Sequence, residues 1–103
     1  MYFKPKSNFS LAKGSRLAQV GRWEDALETW QQGLNLPHST KKGGRMAYNV
    51  ALAYEVLGEL EEARYWAGKS FTEYGFREGR TYAGNLQRRI NQDAIVRNQL
   101  DRN

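Results

Sequence analysis

Apolar residues along this chain recur at three- and four-residue steps and never alternate in twos over a useful length, so the pattern predicts helices and no strands. The first predicted helix runs from Phe9 to Val20. Gly21 follows it, a residue suited to the left-handed backbone just past a helix end. The second covers Trp23 to Leu36, with Trp23, Ala26, Leu27, Trp30 and Leu34 on one stripe, and Pro37 stops it. His38 to Gly44 reads as a loop, in which Ser39 or Thr40 is placed to cap the next helix. The third helix spans Arg45 to Leu57 and is ended by Gly58; the fourth spans Leu60 to Tyr74, with Leu60, Ala63, Ala67 and Phe71 inward. Gly75 to Gly79 reads as a break. Arg80 to about Leu100 forms a fifth helix, on which Tyr82, Leu86, Ile90 and Ala94 make a single apolar line.

The pattern is duplicated. Gly21-Arg22-Trp23-Glu24-Asp25-Ala26 and Gly58-Glu59-Leu60-Glu61-Glu62-Ala63 both read glycine, any residue, large apolar, acid, acid, alanine, at an offset of 37 residues. The same offset pairs Gly14 with Ala51 and Leu17 with Tyr54, and sets Trp30 against the much smaller Ala67. Similarity at a period of 20–50 residues is the signature of a repeat array. The reading is all-α: two helix-turn-helix units (9–37 and 45–75, within 9–79), preceded by an extension over 1–8 and followed by a capping helix and tail over 80–103. Small residues at Gly14, Ala26, Ala51 and Ala63 let helix axes approach, and larger ones fill the space between. Glycine inside a helix costs about 1 kcal/mol against alanine, so Gly14, Gly33 and Gly68 mark close contacts or local weakness. Trp23, Trp30, Tyr54, Leu60 and Phe71 are the expected shared core.

These residues resemble the tetratricopeptide repeat, a helix-turn-helix unit that stacks into a superhelix and presents a concave groove to peptides. In the second unit Val50-Ala51 stands for the Leu-Gly pair of that pattern, Tyr54 for its Tyr and Ala63 for its Ala. In the first unit Gly14, Leu17, Ala26 and Trp30 fill the corresponding places. Lys13 replaces the expected Leu, and the leading aromatic is missing from both units, as Ser10 and Ala47. The resemblance covers about residues 9–75, and the three residues beyond the usual period fall in the Pro37–Gly44 connection. The segments Gly-Arg-Trp-Glu-Asp-Ala-x-x-x-Trp and Ala-Tyr-Asn-x-Ala-x-x-Tyr-Glu also resemble a Bacteroidetes family of envelope-associated tetratricopeptide proteins without an assigned function. That resemblance implies a longer N-terminal part. It leaves the compartment open between the cytoplasm and the cell envelope.

By the geometry of the repeat family, the concave face takes Leu11, Ser15, Ala18 and Gln19 from the first unit. The second supplies Arg45, Tyr48, Asn49, Leu52, Glu55 and Val56, and the fifth helix Tyr82, Asn85 and Arg89. Arg45, Tyr48 and Asn49 are suited to hydrogen-bonding an extended peptide backbone or an acidic side chain. The family's best-known peptide site grips a terminal carboxylate with lysine, asparagine and arginine from successive inner helices. Asn49 occupies its middle asparagine's place, but Leu11 and Ser15 stand where Lys and Asn belong, so that clamp is not expected.

Composition narrows the function further. The chain has 103 residues, thirteen of them aromatic (three Trp, six Tyr, four Phe), enough for one small packed core. It has no cysteine, which excludes a disulfide scaffold, thiolate zinc and cysteine catalysis, and a single histidine, His38. Sixteen Lys and Arg against eleven Asp and Glu give +5, but the charge is uneven: residues 1–45 carry +5, 46–76 carry −3 and 77–103 carry +3. A nucleic-acid binder needs one continuous basic face, so a small basic nucleic-acid-binding helical domain is the alternative reading rather than the first. No run approaches the ~18 apolar residues of a membrane span, so no transmembrane segment is expected.

The remaining candidates favour structure over chemistry. Glu24, Asp25, Glu61 and Glu62 fall in first turns, where acids complement the helix dipole. Lys41-Lys42-Gly43-Gly44-Arg45 lacks the preceding strand and the spacing of a phosphate loop and reads as a flexible connection. No nucleophile, metal-ligand set, cofactor motif or acid–base pair stands out. The expectation is a non-enzymatic interaction module or scaffold, without a cofactor, whose partner is a protein or peptide. Phe9, Leu11 and Leu17, with Tyr2 and Phe3, form an uncapped apolar end that a missing domain or a second copy should cover. A homodimer through the first helix pair is expected there, the alternative being residues 1–8 folded back over that end as an extended strap.

Overall fold

The turns that close the first and third helices are built alike. In the computed structural model, which describes residues 7–102, Gly21 and Gly58 have φ of 82° and 85°. The Arg22 amide donates to the Leu17 carbonyl at 2.9 Å, and the Glu59 amide to the Tyr54 carbonyl at 2.8 Å. The amides of Gly21 and Gly58 reach Ala18 and Glu55 at 2.9 and 3.0 Å. These paired bonds are the Schellman ending, which needs a residue at ease with positive φ. The 37-residue offset of the sequence is thus a repeat of backbone geometry.

Five helices result: α1 (Ser7–Gln19), α2 (Trp23–Leu34), α3 (Thr40–Val56), α4 (Leu60–Thr72) and α5 (Arg77–Asp101). Among the described residues there is no strand, and the fold is all-α. α2 packs between α1 and α3, and α4 between α3 and α5, so each neighbour in sequence is a neighbour in space. The acids Glu24 and Asp25, and Glu61 and Glu62, lie in the first turns of α2 and α4. The radius of gyration, 15.7 Å, exceeds the ~13 Å of a rounded chain of this length, as expected for a row of hairpins.

α2 and α4 end two residues before the sequence reading placed them, at Leu34 and Thr72, while α1, α3 and α5 begin earlier than expected, glycine being the cause in the last two. α3 begins at Thr40, with the Ser39 hydroxyl accepting from the Lys42 amide at 3.1 Å, so Lys41–Gly44 is helical rather than a flexible loop. A Cβ on Gly43 would lie 2.6 Å from the Tyr74 ring, and one on Gly44 3.0 Å from Phe76 Cβ. Those glycines serve close approach, and both are buried. Gly79 likewise lies inside α5, which begins at Arg77 rather than Arg80. The extension read over 1–8 overlaps α1 at Ser7 and Asn8; residues 1–6, with Tyr2 and Phe3, lie outside the described part.

Two clusters make the core. One joins Ala26, Trp30, Met46, Val50 and Ala53; the other joins Ala51, Ala63, Ala67 and Leu86, and Tyr54 and Trp66 pack against both. Of the expected core residues only Trp30 is fully buried, at 2% exposure. Trp23, Tyr54 and Leu60 are half-buried against the clusters, and Phe71 belongs to neither, its ring lying 5.8 Å from the Arg80 guanidinium. The reason is the abundance of alanine at the crossings: close backbones leave little central volume, and large side chains cover the seams. Leu11 and Leu17 pack against the first cluster, which leaves Phe9 as the exposed large residue of the N-terminal end.

The mismatch of Trp30 with Ala67 has a compensating partner. A Cβ on Gly14 would fall 2.2 Å from the Trp30 Nε1, so the indole occupies the space that a side chain there would take. At the same offset the second unit places Ala51 and Ala67 together in one cluster. One unit pairs very small with very large, the other small with small.

Candidate functional site

One face of the array carries polar and aromatic side chains from α1, from α3 and from the connection between α4 and α5. Successive turns of α3 project Arg45, Tyr48 and Asn49 to this side, because residues three and four apart share a helical face. With Leu11, Ser15 and Phe76 they line a shallow groove of ≈ 370 Å³. Phe76 stacks edge-on against Tyr48 with ring centroids 5.2 Å apart, and Tyr48 lies tilted against Tyr82 at 5.1 Å. The three rings make a continuous apolar strip beside the polar groups.

The other expected residues divide into free and engaged. Arg45 is exposed and, among the described residues, forms no ion pair. Leu52 is half-buried on α3. Glu55 is held from α5 on both oxygens: Tyr82 donates its hydroxyl to Oε1 and Arg89 donates to Oε2. Asn85, exposed, accepts from Arg88 one turn along the same helix. Arg45, Tyr48 and Asn49 are therefore available to a ligand, while Glu55, Tyr82 and Arg89 lock α5 to α3. The Trp30 Nε1 and the Ser15 hydroxyl both donate to the Leu11 carbonyl, at 3.2 and 3.0 Å, which fixes the α1 wall.

Burial raises the Tyr82 hydroxyl well above the ordinary tyrosine range, helped by its bond to Glu55. Tyr48 is raised for the same first reason, with Glu78 and Glu55 adding to it. A folded-state value above the unfolded one stabilises the fold fully below about pH 10, and the contribution is lost as pH climbs through the folded value. Urea midpoints should therefore fall above about pH 10. In Tyr82→Phe the fall should be shallower, and equal pH profiles for the two proteins would show that the Tyr82 hydroxyl does not contribute to it.

A larger groove of ≈ 530 Å³ runs between α4 and α5 on the Gly68 and Gly84 side. Its cations are mostly engaged: Lys69 lies 3.6 Å from Glu73 and 4.7 Å from the Trp66 ring centroid, and Arg64 lies 3.8 Å from Glu61. Among the described residues the Arg64 Nε is buried without a hydrogen-bond partner. His38 sits in the α2–α3 connection with its ring nitrogens 3.2 and 3.0 Å from the Leu34 and Ser39 carbonyls, beside Tyr74. Among the described residues no group of three His, Asp or Glu side chains comes together as a metal site, and no helix is long and apolar enough to cross a membrane. Phe76 was not among the expected groove residues. An aromatic between Gly75 and Gly79 was the available signal, masked by the reading of that stretch as a break.

These features define an all-α array of helix hairpins with an open polar and aromatic groove. The family described as a domain of unknown function (DUF6340) matches residues 12–93, and the chain belongs to that family. No curated relative matches it.

Proposed function

We propose that this chain is a non-enzymatic interaction module of tetratricopeptide type, binding an extended segment of a protein or peptide along the face of α1, α3 and α5. The hairpins repeating at 37 residues and the small residues at their crossings support the repeat assignment. The observation that carries the function is the groove itself. An exposed arginine that has no carboxylate partner among the described residues stands beside Asn49 and a strip of three packed rings, a combination suited to peptide amides, an acidic group and apolar side chains together. No catalytic residue or cofactor enters this reading.

Selection from a displayed library of linear peptides, followed by fluorescence polarisation on the purified chain, tests it. Arg45→Glu should weaken a selected peptide by about tenfold or more, as expected for losing a charge-assisted contact, and Asn49→Ala by less. Arg45 is exposed, so the fold should survive. Peptides that bind Arg45→Glu as well as the original chain would sink the assignment of this groove.

A further inference from the structure

Past Ile90, α5 leaves the body of the protein. Leu86 is 1% exposed, whereas every residue from Asn91 to Asp101 is exposed, Leu100 at 67%. Ile90, Asp93, Arg97 and Leu100 succeed one another at steps of three, four and three and share one stripe of the helix, the spacing of a two-helix seam. Asp93 and Arg97 are one turn apart, yet among the described residues neither forms an ion pair. Beside the stripe lies a cleft of ≈ 340 Å³, walled by Gly58, Leu60 and Ile90 and edged by Glu59 and Glu61.

We propose that two copies of the chain associate through this end of α5, the helices antiparallel. Ile90 then faces Leu100 of the second copy, and Asp93 faces Arg97. The two-fold axis repeats both contacts, giving two apolar layers outside two ion pairs. Charge sets the direction. A parallel pairing in register sets Asp93 against Asp93 and Arg97 against Arg97, whereas the antiparallel one matches opposite signs throughout and brings Arg89 near Asp101. The leucine of the second copy enters the cleft beside Ile90, and its Arg97 approaches a rim that already holds Glu59, Glu61 and Asp93. A free helix of this length is marginal in water, so a second helix laid along it stabilises both. Three turns of helix offer less than the ~1,200 Å² of a standard interface, so the dimer is reversible. This association does not depend on the peptide groove.

Sedimentation velocity on the whole chain, from about 5 µM to about 1 mM in moderate salt, reads the association at the weak affinities expected of a small interface. The original chain should shift from monomer toward dimer. Asp93→Arg and Arg97→Asp should each weaken the dimer by about tenfold or more, and the double variant Asp93→Arg/Arg97→Asp should regain it. An equimolar mixture of the two single variants should associate although neither does alone, because each then supplies the sign the other lacks. Both positions are exposed, and circular dichroism verifies that every variant keeps its helix content. A chain monomeric throughout the range would overturn the proposal. So would a dimer indifferent to the single reversals but lost in Phe9→Ser, which would place the contact at α1.

Discussion

Replacing Trp30 by alanine is expected to cost about 3–5 kcal/mol, the range for truncating a buried aromatic. The indole is 2% exposed, belongs to the cluster that joins α2 to α3, and donates its Nε1 to the Leu11 carbonyl on α1 at 3.2 Å. One side chain therefore ties three helices. Small domains hold roughly 5–15 kcal/mol in all, so the loss is a large fraction of the total. Gly14 sharpens the test. Alanine at Gly14 alone would push a methyl to 2.2 Å from the indole, an overpacking expected to cost about 1–3 kcal/mol or more. Once Trp30 is alanine, the same methyl enters vacated space and resembles the working Ala51 and Ala67 pair of the second unit. The double variant should thus be more stable than Trp30→Ala alone. Urea melts of the four proteins measure the coupling, and costs that simply add would show that the two positions do not share a space.

Gly79→Ala should be the most damaging single-methyl change, at about 2–3 kcal/mol or more, the upper part of the overpacking range. Its Cβ would lie 1.9 Å from the Ser70 Oγ and 2.5 Å from the Ala67 carbonyl oxygen. Ser70 has little room to yield, being fully buried with its hydroxyl donated to that same carbonyl at 2.6 Å. The obstacle is backbone, so relief requires α5 to move away from α4. Gly68→Ala is the control: a Cβ there meets nothing within 4 Å, and the change should stabilise the protein by about 1 kcal/mol through helix propensity. Thermal melts in which both substitutions shift the midpoint the same way would show that the α4–α5 crossing is not at Gly79.

Much of the candidate site could be read in advance, because Arg45, Tyr48 and Asn49 need only a helix to share a face. What could not be read was which of the thirteen expected residues remain free. Glu55 meets Tyr82 and Arg89 across 27 and 34 positions of chain, and nothing local to either segment signals that pairing. Phe76 entered the groove through the same kind of long-range contact, its ring set against Tyr48 from a connection that carries no periodic pattern.

Helix periodicity, the duplicated turns at Gly21 and Gly58 and the acids that open α2 and α4 were determined by the sequence alone. Each depends on backbone and neighbours within about two turns. Glycine was ambiguous for a physical reason: the residue records a missing Cβ, and only the packing says whether that absence serves a positive φ, as at Gly21, or an approaching side chain, as at Gly43. The fifth helix shows the same division. Its apolar line from Tyr82 to Ala94 was legible, but how much of it becomes buried depends on the length of its neighbour. α4 has 13 residues, about 20 Å of helix, against 25 residues and about 37 Å in α5, so α4 covers the line only as far as Ile90. Beyond that point the tertiary structure leaves Ala94, the last residue of that line, exposed.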